Sequence, residues 1–299
     1  MIHIERGDSV ESEKIPVKKK FNKKELTLRW LTAIFWIPLI IYIIYLGSYF
    51  YATFVILLCA FTSYEFLKIL EYKNMAPHKL FGAIMGAVIV ITMFYRSYFF
   101  LFLTLATGYL VISIFELARK KADKPIYHIS STIMGAFFIP WLLGHLVFLR
   151  ELPRVFNLPY INGFYFTLLP FLMGWGGDSG AYFIGIAFGK HKLLPRVSPK
   201  KSWEGAIGNV VFTIVAVLLI KLLSGNLLNY FDVFTIGIFG SILSQIGDLT
   251  ESLIKRDIAI KDSSKFLPGH GGLLDRFDGF LFMVPFVYYY LYVKLVIML

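Results

Sequence analysis

From Ser252 to Asp278 the chain interleaves cations, carboxylates and glycine-rich turns, although apolar segments lie on both sides. Asp248 and Glu251 are three residues apart, so on a helix they share a face. Asp275 and Asp278 repeat that spacing where the last apolar segment begins. Two carboxylate pairs at the ends of neighbouring segments could face one another. Hard oxygen ligands so arranged suit Mg²⁺, which takes one or two carboxylates and leaves room for water and substrate phosphate. The competing reading is a set of helix-end ion pairs with Lys255, Arg256 and Arg276. A single pair would favour it; two pairs together with Asp178, in the glycine-rich run Gly174–Tyr182, favour metal binding.

The cations fit the same chemistry. Lys255, Arg256, Lys261, Lys265 and Arg276 crowd this stretch, and Lys200 and Lys201 precede it in Ser198–Gly205. Arginine offers a fork matched to phosphate oxygens, and lysine a point charge. Glycine-rich turns let backbone N–H groups approach a polyphosphate, and Pro268-Gly269-His270-Gly271-Gly272 is such a turn. His270 either hydrogen-bonds a phosphate or caps the turn. Other chemistries lack their motifs. The nearest approach to a Walker A loop, Gly185 to Lys190, has the wrong spacing and no following Ser or Thr. No Gly-x-Ser-x-Gly elbow and no His-Glu-x-x-His occurs.

The elements that must position these groups are membrane helices. Of the residues 57% are hydrophobic, 18% aromatic and only 16% charged, well to the apolar side of a soluble domain. The apolar residues fall into blocks long enough to cross a bilayer: 30–47, 49–67, 80–95, 98–115, 131–149, 163–187, 205–220, 232–250 and 279–298. The sixth is the weakest, interrupted by Asp178 and several glycines. Nine spans with a cytoplasmic N-terminus place 25 of the 30 basic residues on the cytoplasmic side, including loops 190–201 and 255–276. Leaving out the sixth span would put both loops outside. The net charge of +11 is thus a topology signal and not a mark of nucleic-acid binding. The expected fold is all-α, with a basic disordered cytoplasmic tail at 1–28, N-terminal membrane helices at 29–150 and a catalytic membrane region at 151–299. Lys18–Lys24 in the tail could also touch anionic lipid headgroups.

Smaller features complete this reading. Cys59, the sole cysteine, excludes intrachain disulfides and multi-cysteine zinc sites and reads as a core residue. The Gly82/Gly86 spacing suits close helix approach. Glu65 and Glu116, near Lys68 and Arg119, read as interfacial charges that snorkel. The acids of the second half differ, because an ionisable group at membrane depth costs at least about 2.5–3.5 kcal/mol unless paired or hydrated.

The run Ser252-Leu253-Ile254-Lys255-Arg256, then Lys261-Asp262, then Leu267-Pro268-Gly269-His270-Gly271-Gly272-Leu273-Leu274-Asp275-Arg276-Phe277-Asp278 resembles the signature of the phosphatidate cytidylyltransferases, or CDP-diacylglycerol synthases. Asp178–Tyr182, Ser198–Gly205 and Gln245–Asp248 resemble the same family, so the likeness covers about 170–280. It implies that CTP and phosphatidate give CDP-diacylglycerol and pyrophosphate at the cytoplasmic face of the cell membrane. It assigns metal binding to Asp248, Asp275 and Asp278, with Asp178 as a fourth ligand, and implies Mg²⁺ beside a second cation such as K⁺. Lys200, Lys201, Lys255, Arg256, Arg276 and His270 would serve the reacting phosphates. Ser202, Glu204, Lys261, Lys265, Gly271 and Gly272 would line the substrates. A homodimer is the implied assembly. The rivals are another CTP-using lipid enzyme, a polyprenol kinase or CDP-archaeol synthase, and more distantly a transporter.

Overall fold

The computed structural model describes residues 23–73, 75–120, 123–264 and 271–298. Residues 1–22 of the basic tail, and the site candidates Lys265 and His270, lie outside the described residues. The helices are α1 (Lys23–Leu46), α2 (Ser48–Leu70), α3 (Lys79–Phe94), α4 (Tyr98–Leu117), α5 (Pro125–Ile133), α6 (Ile139–Val155), α7 (Ile161–Phe188), α8 (Trp203–Ser224), α9 (Tyr230–Asp257), α10 (Leu274–Phe277) and α11 (Phe280–Ile297). A π turn at Met134–Phe138 joins α5 to α6 without breaking their course.

Six segments are long and apolar enough to cross a membrane, and residues 34–46 and 79–94 form shorter apolar helices. The long α7 is not among the six, since Pro170, Asp178 and its glycines dilute its apolar content. It is nonetheless one unbroken helix. Two expectations need correcting. The helix α1 begins at Lys23, inside the stretch expected to be a disordered tail, because Lys, Glu and Leu at 23–26 are strong helix formers. The fold is also not purely α: β1 (Lys192–Leu194) and β2 (Ser198–Ser202) form an antiparallel hairpin, with Lys192 opposite Ser202 and Leu194 opposite Ser198. That hairpin delivers Lys200 and Lys201 to the start of α8.

Ile44, Val55, Leu67, Ile89, Leu146 and Val287 are among the buried residues that weld the helices together. Small residues set the closest contacts. A Cβ on Gly86 would stand 3.0 Å from both Cys59 O and Ser63 Oγ, so the spacing read from Gly82/Gly86 does mark the α2–α3 contact. Between α7 and α8 a Cβ on Gly208 would lie 2.7 Å from Gly180 O, which requires the two backbones to touch.

The two ends of the bundle differ. One gathers the C-terminal ends of α2, α7 and α9, the hairpin, and the segment entering α11, joined by contacts such as Lys73–Asp257 at 2.7 Å and Glu65 to Leu274 N at 2.8 Å. The other gathers the ends of α1 and α6 and the start of α7, tied by Arg150, which donates to Ile44 O at 2.9 Å and Tyr160 O at 3.2 Å.

Candidate active site

Three aspartates, from α7, α9 and the junction between α10 and α11, approach one another near the first end. Asp178 (α7), Asp248 (α9) and Asp278 (before α11) lie within electrostatic reach of one another, with Glu251 beside Asp278. Asp178 is exposed, yet protein surrounds it on most sides, as expected of a residue lining a cleft. The α9–α11 spacing has a simple cause. A Cβ on Gly247 would come within 3.2 Å of Gly279 Cα, so main chain packs on main chain beside both Asp248 and Asp278.

Cations face this cluster. The Lys201 ammonium pairs with Asp248 Oδ2, whose other oxygen accepts from Ser252 Oγ at 3.3 Å. Arg276 and Lys201 both lie within electrostatic reach of Asp178. Lys200, Lys201, Ser202 and Asp248 rim a cavity of about 190 Å³ that continues between α7, α8 and α9 to Asn209 and Gln245. A larger recess of about 550 Å³ lies at the opposite end, lined by Phe231, Phe286, Tyr290 and Val293. Its only charges are the mutually paired Lys294 and Asp232, so the smaller cavity is the better place for phosphate chemistry.

Several expected site residues are brought elsewhere. Asp275 does not join Asp278. Its carboxylate accepts from Lys255 Nζ at 2.7 Å, Ser263 N at 3.0 Å and Gly272 N at 2.8 Å. An aspartate in the first turn of a helix readily folds back onto N–H donors preceding it, and here it ties Ser263 and Gly272 to α10. Lys255, expected to hold phosphate, is buried and bridges Glu251 at 2.8 Å and Asp275. Arg256 donates to Val197 O at 3.2 Å and so anchors the hairpin to α9. Ser202 caps α8, accepting from Gly205 N at 3.1 Å. Glu204 turns to His191 Nδ1 at 2.6 Å, on the hairpin side. Lys261 is exposed. Gly271 has a left-handed φ of 85°, and a Cβ there would press on Asp275 Oδ2 at 2.9 Å.

Glu65 is the residue that sequence reasoning misread. It makes no ion pair with Lys68 but is buried, accepting from Ser264 Oγ at 2.6 Å and Leu274 N at 2.8 Å. It thus grips both ends of the signature loop from α2. Glu116 pairs with Arg119 at 2.7 Å as expected, but is buried against His128 at 2.8 Å and does not snorkel. No local pattern announces Glu65, whose partners are about 200 residues away.

The carboxylate cluster is suited to a hard cation. Glu251 Oε1 is buried with no donor, and the group beside it is another carboxylate, Asp278. Among the described residues no three acidic, His or Cys side chains converge tightly enough to enclose one ion. Mg²⁺, which commonly takes one or two carboxylates and completes its shell with water and phosphate, fits that looser arrangement.

The profile of the cytidylyltransferase family matches residues 27–294, nearly the whole chain. The chain belongs to the cytidylyltransferase family. Curated relatives agree. The chain is 40% identical over 158 residues, 53% of its own length and 56% of the relative's, to the phosphatidate cytidylyltransferase of Bacillus subtilis. To that of Haemophilus influenzae it is 40% identical over 191 residues, 62% of this chain and 64% of the relative. To that of Staphylococcus haemolyticus it is 43% identical over 124 residues, 42% of this chain and 48% of the relative. The chain spans about half to two-thirds of the length of these curated relatives.

Proposed function

We propose that this protein transfers a cytidylyl group from CTP to phosphatidate, forming CDP-diacylglycerol and releasing pyrophosphate. The observation that carries the reading is the meeting of Asp178, Asp248, Asp278, Lys201 and Arg276 beside a cavity entering the bundle. A lipid phosphate oxygen attacks the α-phosphorus of CTP, the bond to the β-phosphate oxygen breaks, and pyrophosphate leaves with that electron pair. Both reactants are anions, so alignment and charge neutralisation are the main tasks. The lipid phosphate is already ionised near neutral pH, which removes the need for a general base.

Lys200, Lys201 and Arg276 hold the reacting phosphates in line. Asp248 and Asp278, with Asp178 as a further ligand, would hold Mg²⁺, with K⁺ as a neighbouring second cation. Such an ion supplies charge neutralisation at the transferring phosphoryl group. Lys255 and Asp275, engaged with each other at 2.7 Å, tie α9 to α10. Nine membrane spans with a cytoplasmic N-terminus put this end of the bundle in the cytoplasm, where CTP is. Support comes from the concentration of lysine and arginine in loops 190–201 and 255–276. A homodimer is the assembly that the family likeness suggests.

Purified protein with labelled CTP, phosphatidate and Mg²⁺ should yield labelled CDP-lipid. Failure to do so, with solute uptake in proteoliposomes, would instead establish a transporter. Competition of phosphatidate against a polyprenol and an archaeal ether-lipid phosphate separates this activity from the related CTP-using enzymes.

A further inference from the structure

The cavity extends past the charged rim into polar side chains that the phosphate chemistry does not use. Asn209 lies six residues inside α8, about 9 Å along the helix from its first residue. Gln245 lies nearly one turn deeper in α9 than Asp248. Both line the cavity. A directional relay connects them: Gln245 Nε2 donates to Ser241 Oγ at 3.2 Å, and Ser241 Oγ donates to Asn209 Oδ1 at 2.6 Å. Thr213 Oγ1 also donates to Asn209 Oδ1, at 3.4 Å. The amide oxygen of Asn209 is therefore committed, and its Nδ2 is the donor left over. The hydrogen bonds seen on this amide among the described residues all fall on Oδ1, and Asn209 lines the cavity, so Nδ2 is available to a group bound there. A donor on a cavity wall is open to an acceptor that enters the cavity, and a hydrogen bond made there is worth roughly 0.5–1.5 kcal/mol.

The position selects the ligand chemistry. The donor lies on the bundle-interior side of the Lys201–Asp248 pair, while the cavity wall at Tyr182 and the neighbouring Ile207 are exposed along the apolar flank of the bundle. A nucleotide arrives from water. A phospholipid arrives from the flank with its phosphate uppermost and its glycerol esters a few bonds below. Ester carbonyls are acceptors only and call for donors.

We infer that Asn209, oriented by Ser241 and Gln245, donates from Nδ2 to an ester carbonyl of the lipid substrate and makes the enzyme prefer diacyl over dialkyl-ether lipid phosphates. This rests on the proposed cytidylyl transfer to a lipid phosphate. It adds a specificity determinant that lies away from the reacting phosphorus. The ether analogue has the same phosphate and the same chains but no carbonyl, so it isolates this one contact.

The test measures kcat/KM of the full chain, with CTP saturating, for dioleoyl phosphatidate and for its dioleyl ether analogue in mixed micelles. The wild type should prefer the ester by roughly fivefold to tenfold, the worth of one hydrogen bond in a buried site. Asn209→Ala should lower the ester value to that of the ether and leave the ether value unchanged. Ser241→Ala, which frees the amide to rotate, should reduce the preference about twofold to threefold; it carries the test if Asn209→Ala does not purify. Equal use of the two lipids by the wild type, or an unaltered preference in the variants, overturns the inference while leaving cytidylyl transfer standing. No labelled lipid product from either substrate overturns both.

Discussion

Buried charge occurs at both ends of this bundle, but it is arranged on opposite principles. At the Arg150 end the buried charges Arg150, Glu151, Asp232 and Lys294 each have a partner among the described residues. The guanidinium, 1% exposed, donates to Ile44 O, Tyr45 O and Tyr160 O, and lies 4.0 Å over the Tyr160 ring. The Tyr160 hydroxyl donates to Glu151 at 2.8 Å, and Glu151 pairs with Arg154 at 2.7 Å. Asp232 is likewise held by Tyr290 Oη at 2.8 Å, by Asn229 N at 2.6 Å and by Lys294. At the other end Asp178, Asp248, Asp278 and Glu251 crowd one another, with Lys201 committed to Asp248. A closed network serves the fold. A surplus of like charge held in place by the fold works against stability, which is why we propose that a cation binds there.

The largest expected effect removes one of the crowded carboxylates. Asp278→Asn should cut CDP-lipid formation by about a thousandfold, the upper range for loss of one preorganised electrostatic group. Its melting temperature should stay level or rise, since a like-charge repulsion is relieved. Saturating Mg²⁺, at about a hundred times its Kd, should stabilise the wild type by roughly 2.7 kcal/mol and leave this variant unmoved. Turnover within tenfold of wild type would take Asp278 out of the site. Next in size is Arg150→Met. Stripping the donor from three carbonyls and the partner from Tyr160 should cost roughly 3 kcal/mol of stability, read by denaturant or thermal unfolding in micelles. Activity per folded molecule should remain within about twofold. Loss of activity at full stability would erase the distinction between the two ends. The smallest effect sharpens the comparison. Glu65→Gln keeps an acceptor for Leu274 N but loses the charge gripping Ser264, and should lower kcat by roughly tenfold with KM for CTP little changed. A change in KM alone would make Glu65 a substrate contact instead of a positioning residue.

Much of this architecture was legible in the residues. The facing of Asp248 and Asp278 follows from acids near the ends of two apolar segments, and the α2–α3 contact from the Gly82/Gly86 spacing. Spacing did not reveal the partners Asp275 takes up: its carboxylate turns to Lys255, Ser263 N and Gly272 N, the first two of which lie well back along the chain. The ion pair of Lys255 was readable, since Glu251 precedes it by four residues on the same helix and that spacing favours one. Glu65 could not. Its partners Ser264 and Leu274 are brought to it only by the packed bundle, and nothing in the local sequence near Tyr64–Lys68 distinguishes it from an interfacial acid. The hairpin at Lys192–Ser202 escaped for a related reason: it is short, and its Pro and Lys residues read as loop.

The contact of Gly247 with the main chain at Asp278 and Gly279 has a consequence for how this protein can evolve. The gauge between its two carboxylate-bearing helices is a hydrogen atom. Every substitution at 247 adds bulk and can only widen the gap, never narrow it. The site already stands at its tightest setting. Variants that retune the carboxylate cluster must therefore arise from the side chains around it, or from α7 opposite, while position 247 itself stays fixed.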